Sequence, residues 1–334
     1  MKTRFKIEPH EYRGPFDLDL TINSGQTSQP AWGKNGKYFQ ELINVDNKVC
    51  LIKIAHKSNS DEPIDVIAEF PEKIDKELIK SEIMEIFGLN DDLTKLYDFL
   101  KNDPKLEPAI HFCKGLRLFK ANNIFESVVC SITSAHNSIR QWNRAVRLLK
   151  EKWGNKYELS EGTFYSFPSS QVLANAPESE FDEEKCDPEL LKNRHIWKDL
   201  RSCRVGYRAK YIIQASKMVQ NEIDLGKIRN MDYKTAFNTI LKIPGVGPKV
   251  GDCILLYGYG FGKAFPVDIW ISRIVSKLYF NSQSVSNSKT RAFGIEKFGN
   301  YAGYAQLYLF HYARKSGLMD ELKPKKRFKM FKHV

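Results

Sequence analysis

The stretch Leu241-Lys242-Ile243-Pro244-Gly245-Val246-Gly247-Pro248-Lys249-Val250 decides the fold. An apolar helix runs into it, Pro-Gly-Val-Gly makes a tight turn, and a second helix leaves it. Gly245 and Gly247 permit positive φ and put no Cβ between the backbone and a ligand. Pro248 suits the first turn of the second helix, where an amide hydrogen would lack a partner anyway. The remaining amides at that helix start point outward, and with the positive helix end they form an anion site suited to a phosphate. A bare glycine pair marks no more than a corner between helices. The full Ile-Pro-Gly-Val-Gly-Pro-Lys run is far more specific.

Outward from this hairpin, residues 124–135, 139–153, 207–221, 233–241, 249–257, 267–279 and 302–315 carry apolar residues at helical spacing. Prolines at 167, 177, 188, 244, 248 and 266 punctuate them. The first hundred residues differ. Residues 38–45, 49–54 and 64–70 have the short, β-branched or alternating character of strands. Asn35-Gly36 and Asp46-Asn47 are turn signals. From Pro71 to about Leu89 the spacing turns helical, and after about Lys105 the strand signals stop. No repeat of fixed period is present. The expected fold is α+β. Residues 1–105 form the N-terminal domain, 106–320 a larger helical domain, and 321–334 a basic tail.

The chain has 334 residues, 42% hydrophobic and 12% aromatic, enough for a real core and against wholesale disorder. No run approaches the ~18 apolar residues of a membrane span. The start, Met1-Lys2-Thr3-Arg4-Phe5-Lys6, lacks the apolar stretch of a signal peptide. Six cysteines (50, 113, 130, 186, 203 and 253) form no CxxC pair, which suits a reducing cell interior, so an intracellular protein is expected. The net charge is +12, unevenly placed: −5 over residues 1–100 and +17 over 101–334. Residues 101–150 carry +6 and 201–250 carry +7. Such asymmetry favours a polyanion, nucleic acid first and a membrane surface second. On charge alone a generally basic soluble protein is as good a reading. The acidic stretch 178–189 is expected to be a solvated loop. Lys323-Pro324-Lys325-Lys326-Arg327-Phe328-Lys329 could add nonspecific phosphate contacts.

The hairpin resembles the helix-hairpin-helix motif of DNA glycosylases. Phe265-Pro266-Val267-Asp268 is similar to the Pro-Val-Asp that completes that superfamily's signature. Gly247-Pro248-Lys249-Val250-Gly251-Asp252-Cys253 resembles the 8-oxoguanine DNA glycosylase/lyase family in particular. Ser24-Gly25-Gln26, Gly206-Tyr207-Arg208-Ala209 and Gly303-Tyr304-Ala305-Gln306 with Phe310 are further matches in the right order. The resemblance spans roughly residues 15–315. It implies an N-terminal antiparallel sheet domain, a helical domain carrying the site, and duplex DNA containing 8-oxoguanine as partner. Neither a membrane partner nor an oligomer is expected.

Base removal with strand cleavage needs a nucleophile at C1′ of the sugar, and an amine if a Schiff base is to form. Lys249 matches the family's nucleophile, in a first helical turn whose positive end disfavours a protonated amine. Asp268 opens the next helix. As an N-cap it would contribute ~1 kcal/mol, and the resemblance adds stabilisation of the positive charge developing on the sugar. A cap that fixes the carboxylate serves both roles. The reaction needs no cofactor. The superfamily's iron–sulfur relatives need four cysteines after the Asp, and none follows Cys253 here.

The target base must leave the helix stack. Oxidation at C8 turns N7 from acceptor to donor, so one placed acceptor separates lesion from guanine. The resemblance gives that acceptor to the Gly25 carbonyl. It places Cys253 and Phe310 on the two faces of the base, and Gln306 on its pairing edge. Cys253 lies four residues after Lys249, and Gln306 four before Phe310, each pair on one helix face. Tyr207 and Arg208 resemble residues that enter the duplex near the estranged base. Gly245, Val246, Gly247 and Val250 belong to the phosphate hairpin. His136, with Asn137 adjacent, falls on the position that fills the gap left by the flipped base, where eukaryotic members carry an Asn-Asn-Asn run. Gln141 replaces a second arginine that reads the opposite cytosine, with Arg140 about 100° round the helix. Trp270 stands where a phosphate-binding histidine is usual. These departures imply weaker discrimination between cytosine and adenine opposite the lesion. A related glycosylase for alkylated or mismatched bases is the runner-up, opposed by Lys249. A noncatalytic DNA-binding protein is the reading from another class, opposed by Lys249 with Asp268.

Overall fold

The computed structural model describes residues 1–58, 60–179 and 197–322. Five strands, β1 (Lys2–Ile7), β2 (Gly33–Asn35), β3 (Tyr38–Val45), β4 (Lys48–Ala55) and β5 (Ile64–Glu69), make one antiparallel sheet in the order β1-β5-β4-β3-β2. Asp46 and Asn47 both take positive φ, which suits a two-residue hairpin turn and sets Val45 opposite Lys48. Central β4 buries Leu51, Ile52 and Ile54, which face partners such as Val66 and Ala68. The helix Lys76–Ile86, capped by Asp75, lays Ile79, Ile83 and Ile86 on this sheet.

Strand β1 is not marked by the sequence pattern. It pairs with β5 from Lys2↔Glu69 to Ile7↔Ile64. Lysines and an arginine alternate with Thr3, Phe5 and Ile7, so its signal is a half-charged edge strand whose partner lies far along the chain.

The second core is helical, and its helices fall close to the expected ranges. Ile124–Ser134, Ile139–Trp153, Tyr233–Ile240 and Ala302–Lys315 agree within two residues. The expected helix 207–221 begins at Ala209, after a 3₁₀ turn over Gly206–Arg208. The expected helix 249–257 is an α-helix over Pro248–Cys253 that widens into a π-helical turn over Ile254–Gly258. Strands do not stop at Lys105: β6 (Lys156–Leu159) and β7 (Gly162–Tyr165) form a hairpin. None of their residues is fully buried, and the Lys156-Tyr157-Glu158-Leu159 alternation is only four residues long, so the strand signal is weak. The acidic stretch 178–189 lies largely, and the basic run 323–329 entirely, outside the described residues.

Between the cores runs a segment in which Leu116 and Leu118 join the helical core and Phe119 joins the sheet core. Arg117, fully buried between them, donates to the carbonyls of Arg13, Gly14, Pro15, Gly88 and Asp91 at 2.6–3.2 Å. A buried guanidinium is tolerable because its donors are met. Lys150 adds a second tie, reaching Glu41 of β3 at 2.9 Å. Among the described residues no helix is long and apolar enough to cross a membrane.

Candidate active site

The Gly25 loop follows a short helix, Leu18–Asn23, capped by Asp17. Side chains then pin the loop to the inter-core segment. Gln26 donates to Arg117 O at 2.9 Å and accepts from Phe119 N at 2.9 Å. Ser28 donates to Phe119 O and Gln29 to Lys120 O. Gly25 itself sits at φ +86°, a conformation L side chains rarely adopt. A Cβ there would meet Ile139 Cδ1 at 2.5 Å and Arg314 Nη1 at 2.6 Å.

In the hairpin, Val246 N donates to Ile243 O at 3.0 Å, which closes the turn, and both side chains are buried. Gly245 takes φ +83°, with the space of a Cβ filled by Tyr211 at 2.8 Å. Gly247 does not use a positive φ. It is the extended N-cap at φ −92°, and a Cβ there would touch nothing within 4 Å. Its want of a side chain leaves the helix start open to a close ligand. Pro248 occupies the first helical position, and Lys249 follows, half-buried.

Asp268 caps Ile269–Tyr279: Oδ1 accepts from Trp270 N at 3.0 Å and Ile271 N at 2.8 Å. The carboxylate is thereby fixed by its own backbone. Gly25, His136, Asn137, Lys249, Val250, Cys253, Asp268, Gln306 and Phe310 all line one cleft of about 640 Å³. Trp270 lines it too. Cys253 is buried, which pushes its thiol up, while the Lys249 charge beside it acts the other way. Thr27 Oγ1, also in the cleft wall, is buried beside the Cys253 thiol. Tyr257, one turn after Cys253 through the π-helical widening, faces Gln306 Oε1 at 3.5 Å, and burial raises its phenol strongly. Thr27 and Tyr257 were missed in the sequence; Tyr257 carried the signal, four residues beyond Cys253.

The remaining predicted residues lie outside this cleft. Tyr207 is exposed and stands edge-on to Tyr211. Arg208 is buried and donates mostly to the filler turn, from Nε to Ala135 O at 2.8 Å, from Nη2 to His136 O at 3.2 Å and from Nη2 also to Ala135 O, while Nη1 donates to Val205 O at 3.2 Å. That turn needs support, because His136 takes φ +50°. His136 and Asn137 also border an adjoining depression of about 550 Å³ walled by Arg140, Gln141, Arg144, Arg204 and Arg208. The pairing of a lysine amine and a fixed carboxylate with apolar and amide walls suits a planar polar ring joined to a reacting carbon.

Residues 8–128 match the 8-oxoguanine DNA glycosylase N-terminal domain, and residues 129–298 match the HhH-GPD superfamily base excision DNA repair proteins. A probable N-glycosylase/DNA lyase of Methanothermobacter thermautotrophicus is 38% identical over 314 residues, covering 93% of this chain and 97% of that protein. The 8-oxoguanine glycosylase/lyase of Clostridium acetobutylicum, in complex with duplex DNA containing cytosine opposite 8-oxoG, aligns with TM-score 0.72 and 30% identity over 91% of this chain and 93% of that one. A protein named MBOgg1, in complex with a low affinity DNA ligand, aligns with TM-score 0.74 and 28% identity over 95% and 96%. With both domains matched in order, and nine predicted positions from separate stretches gathered in one cleft, the chain belongs to the HhH-GPD superfamily of base excision DNA repair proteins, in its 8-oxoguanine DNA glycosylase/lyase family.

Proposed function

We propose that this protein excises 8-oxoguanine from duplex DNA and cuts the strand at the resulting site, with Lys249 as nucleophile. One observation carries this reading: Lys249, Asp268, Gly25, Cys253, Gln306 and Phe310 line the same cleft. The neutral Lys249 amine attacks C1′, the C1′–N9 bond breaks, and its electron pair leaves with the base, which takes up a proton. Loss of a proton from nitrogen and opening of the sugar give a Schiff base between Lys249 and C1′. Removal of a C2′ proton then expels the 3′ phosphate by β-elimination. Asp268 stabilises the cationic sugar, and its two backbone hydrogen bonds keep the carboxylate in place for this.

The flipped base sits between Cys253 and Phe310, with Gln306 at its pairing edge and the Gly25 carbonyl accepting from N7–H. His136 and Asn137 fill the vacated stack, Tyr207 enters beside the estranged base, and Gly245 to Gly247 with Val250 present the backbone to a phosphate. Residues 1–105 support the pocket through Gly25, while 106–320 carry the chemistry, on one protein molecule per lesion.

The test is a duplex carrying one 8-oxoguanine opposite cytosine, followed for base release and strand cleavage. Release of 8-oxoguanine without attack on undamaged guanine supports the reading. Activity confined to alkylated or mismatched bases would replace it.

A further inference from the structure

The helix Ala302–Lys315 continues its base-facing stripe one turn beyond the residues already assigned. Gln306, Phe310 and Arg314 follow at steps of four, hence on one face. The first two line the cleft. The guanidinium of the third fills the space a side chain at position 25 would need, with Nη1 2.6 Å from that Cβ. Its Cζ lies 5.8 Å from the Phe310 ring centroid.

Arg314 has no carboxylate within ion-pair distance among the described residues. Its one hydrogen-bond partner among the described residues is a ring nitrogen: Nη2 lies 3.4 Å from His311 Nδ1. A guanidinium only donates, so Nδ1 accepts and the ring proton is on Nε2. The ring is neutral, since burial and the Arg314 charge push it down to about 4. Its own donor goes to the backbone at Ser24. His311 therefore ties Arg314 to the Gly25 loop without cancelling its charge, and Nε and Nη1 stay unspent.

We propose that Arg314 is a base-contacting residue, donating to a carbonyl oxygen that flanks N7–H of an 8-oxopurine. This rests on the reading that Gly25 accepts from N7–H. In such a ring O6 and O8 lie on either side of N7, so a donor packed against Gly25 on its Cβ side meets one of them. The lesion then offers donor and acceptor to adjacent protein groups, while guanine sets its N7 acceptor against the Gly25 acceptor. The same charge favours the electron pair that reaches the base as the C1′–N9 bond breaks.

The experiment compares wild type, Arg314→Gln and Arg314→Lys on two duplexes. One carries 8-oxoguanine opposite cytosine and is read by single-turnover excision. The other carries a tetrahydrofuran abasic analogue and is read by equilibrium binding. Loss of a charge-assisted contact predicts excision slower by about 10–100-fold in Arg314→Gln, with analogue affinity unchanged. Arg314→Lys recovers part of the rate. Excision by Arg314→Gln at the wild-type rate, a parallel loss of analogue affinity, or a lysine no better than glutamine overturns the proposal. Wild type inert on 8-oxoguanine would instead overturn the underlying function.

Discussion

Asp252 and Arg291 meet in a two-point ion pair, with Nε 2.6 Å from Oδ2 and Nη2 3.1 Å from Oδ1. Asp252 is fully buried and accepts from Tyr233 Oη at 2.6 Å. It lies between Lys249 and Cys253 in the six-residue helix Pro248–Cys253. Through it that helix is tied to Tyr233–Ile240 on one side and Asn287–Phe298 on the other. Asp252→Asn leaves Arg291 without its countercharge and is expected to cost roughly 2–4 kcal/mol, since one partner of a buried pair is removed. Urea unfolding measures this. The same variant excises more slowly, because the lysine's helix is no longer held.

Glu126 is half of a buried contest. Burial raises its carboxyl to about 7, although the Lys150 charge works against the shift. The folded form thus holds a proton that the unfolded chain releases near 4.5. The group's contribution is full below that value and is lost as pH rises through about 7. Unfolding free energy should fall by about 2 kcal/mol across this window, a discounted figure for a group coupled to Lys150. Glu126→Gln should flatten the slope. A denaturation series from pH 5 to 8 checks it.

Gly25→Ala combines a strained φ of +86° with contacts at 2.5 and 2.6 Å. The strain alone is worth about 1–2 kcal/mol. Relief must come from moving the loop, so 8-oxoguanine excision drops about tenfold or more, as displaced catalytic geometry does. Affinity for an abasic duplex should change little.

Arg208 is committed to the carbonyls at 135 and 136, and Gln141 stands where the resemblance implies a second arginine. Excision rates opposite cytosine and adenine are therefore expected to be closer than a two-arginine reader would give. Gln141→Arg should widen the ratio in favour of cytosine, toward the 1–3 kcal/mol of one good base contact. Single-turnover rates on the two duplexes decide it. Strict cytosine dependence in the unaltered protein would refute the expectation.

Most of the site was legible because its chemistry is written in short contiguous motifs. The hairpin, Pro266-Val267-Asp268 and the Gln306–Phe310 pair each fix a local geometry, and packing had only to bring them together. What escaped depends on distant partners. Arg117 reads as one basic residue among many until the carbonyls of residues 13–15, 88 and 91 converge on it. Asp252 reads as a polar helix residue until Arg291 arrives from 39 positions away. Strand β1 shows its meaning only beside β5. Arg314 is a different case: its spacing from Phe310 was visible, and only its approach to Gly25 was not.

The central claim is that Lys249 bonds covalently to the sugar. Borohydride reduces a Schiff base to a stable amine, so the protein is incubated with an 8-oxoguanine duplex in its presence and resolved under denaturing conditions. The account predicts a protein–DNA adduct in wild type that disappears in Lys249→Gln while the variant still binds the duplex. An adduct that persists in Lys249→Gln, or base release by wild type with no adduct, would contradict it.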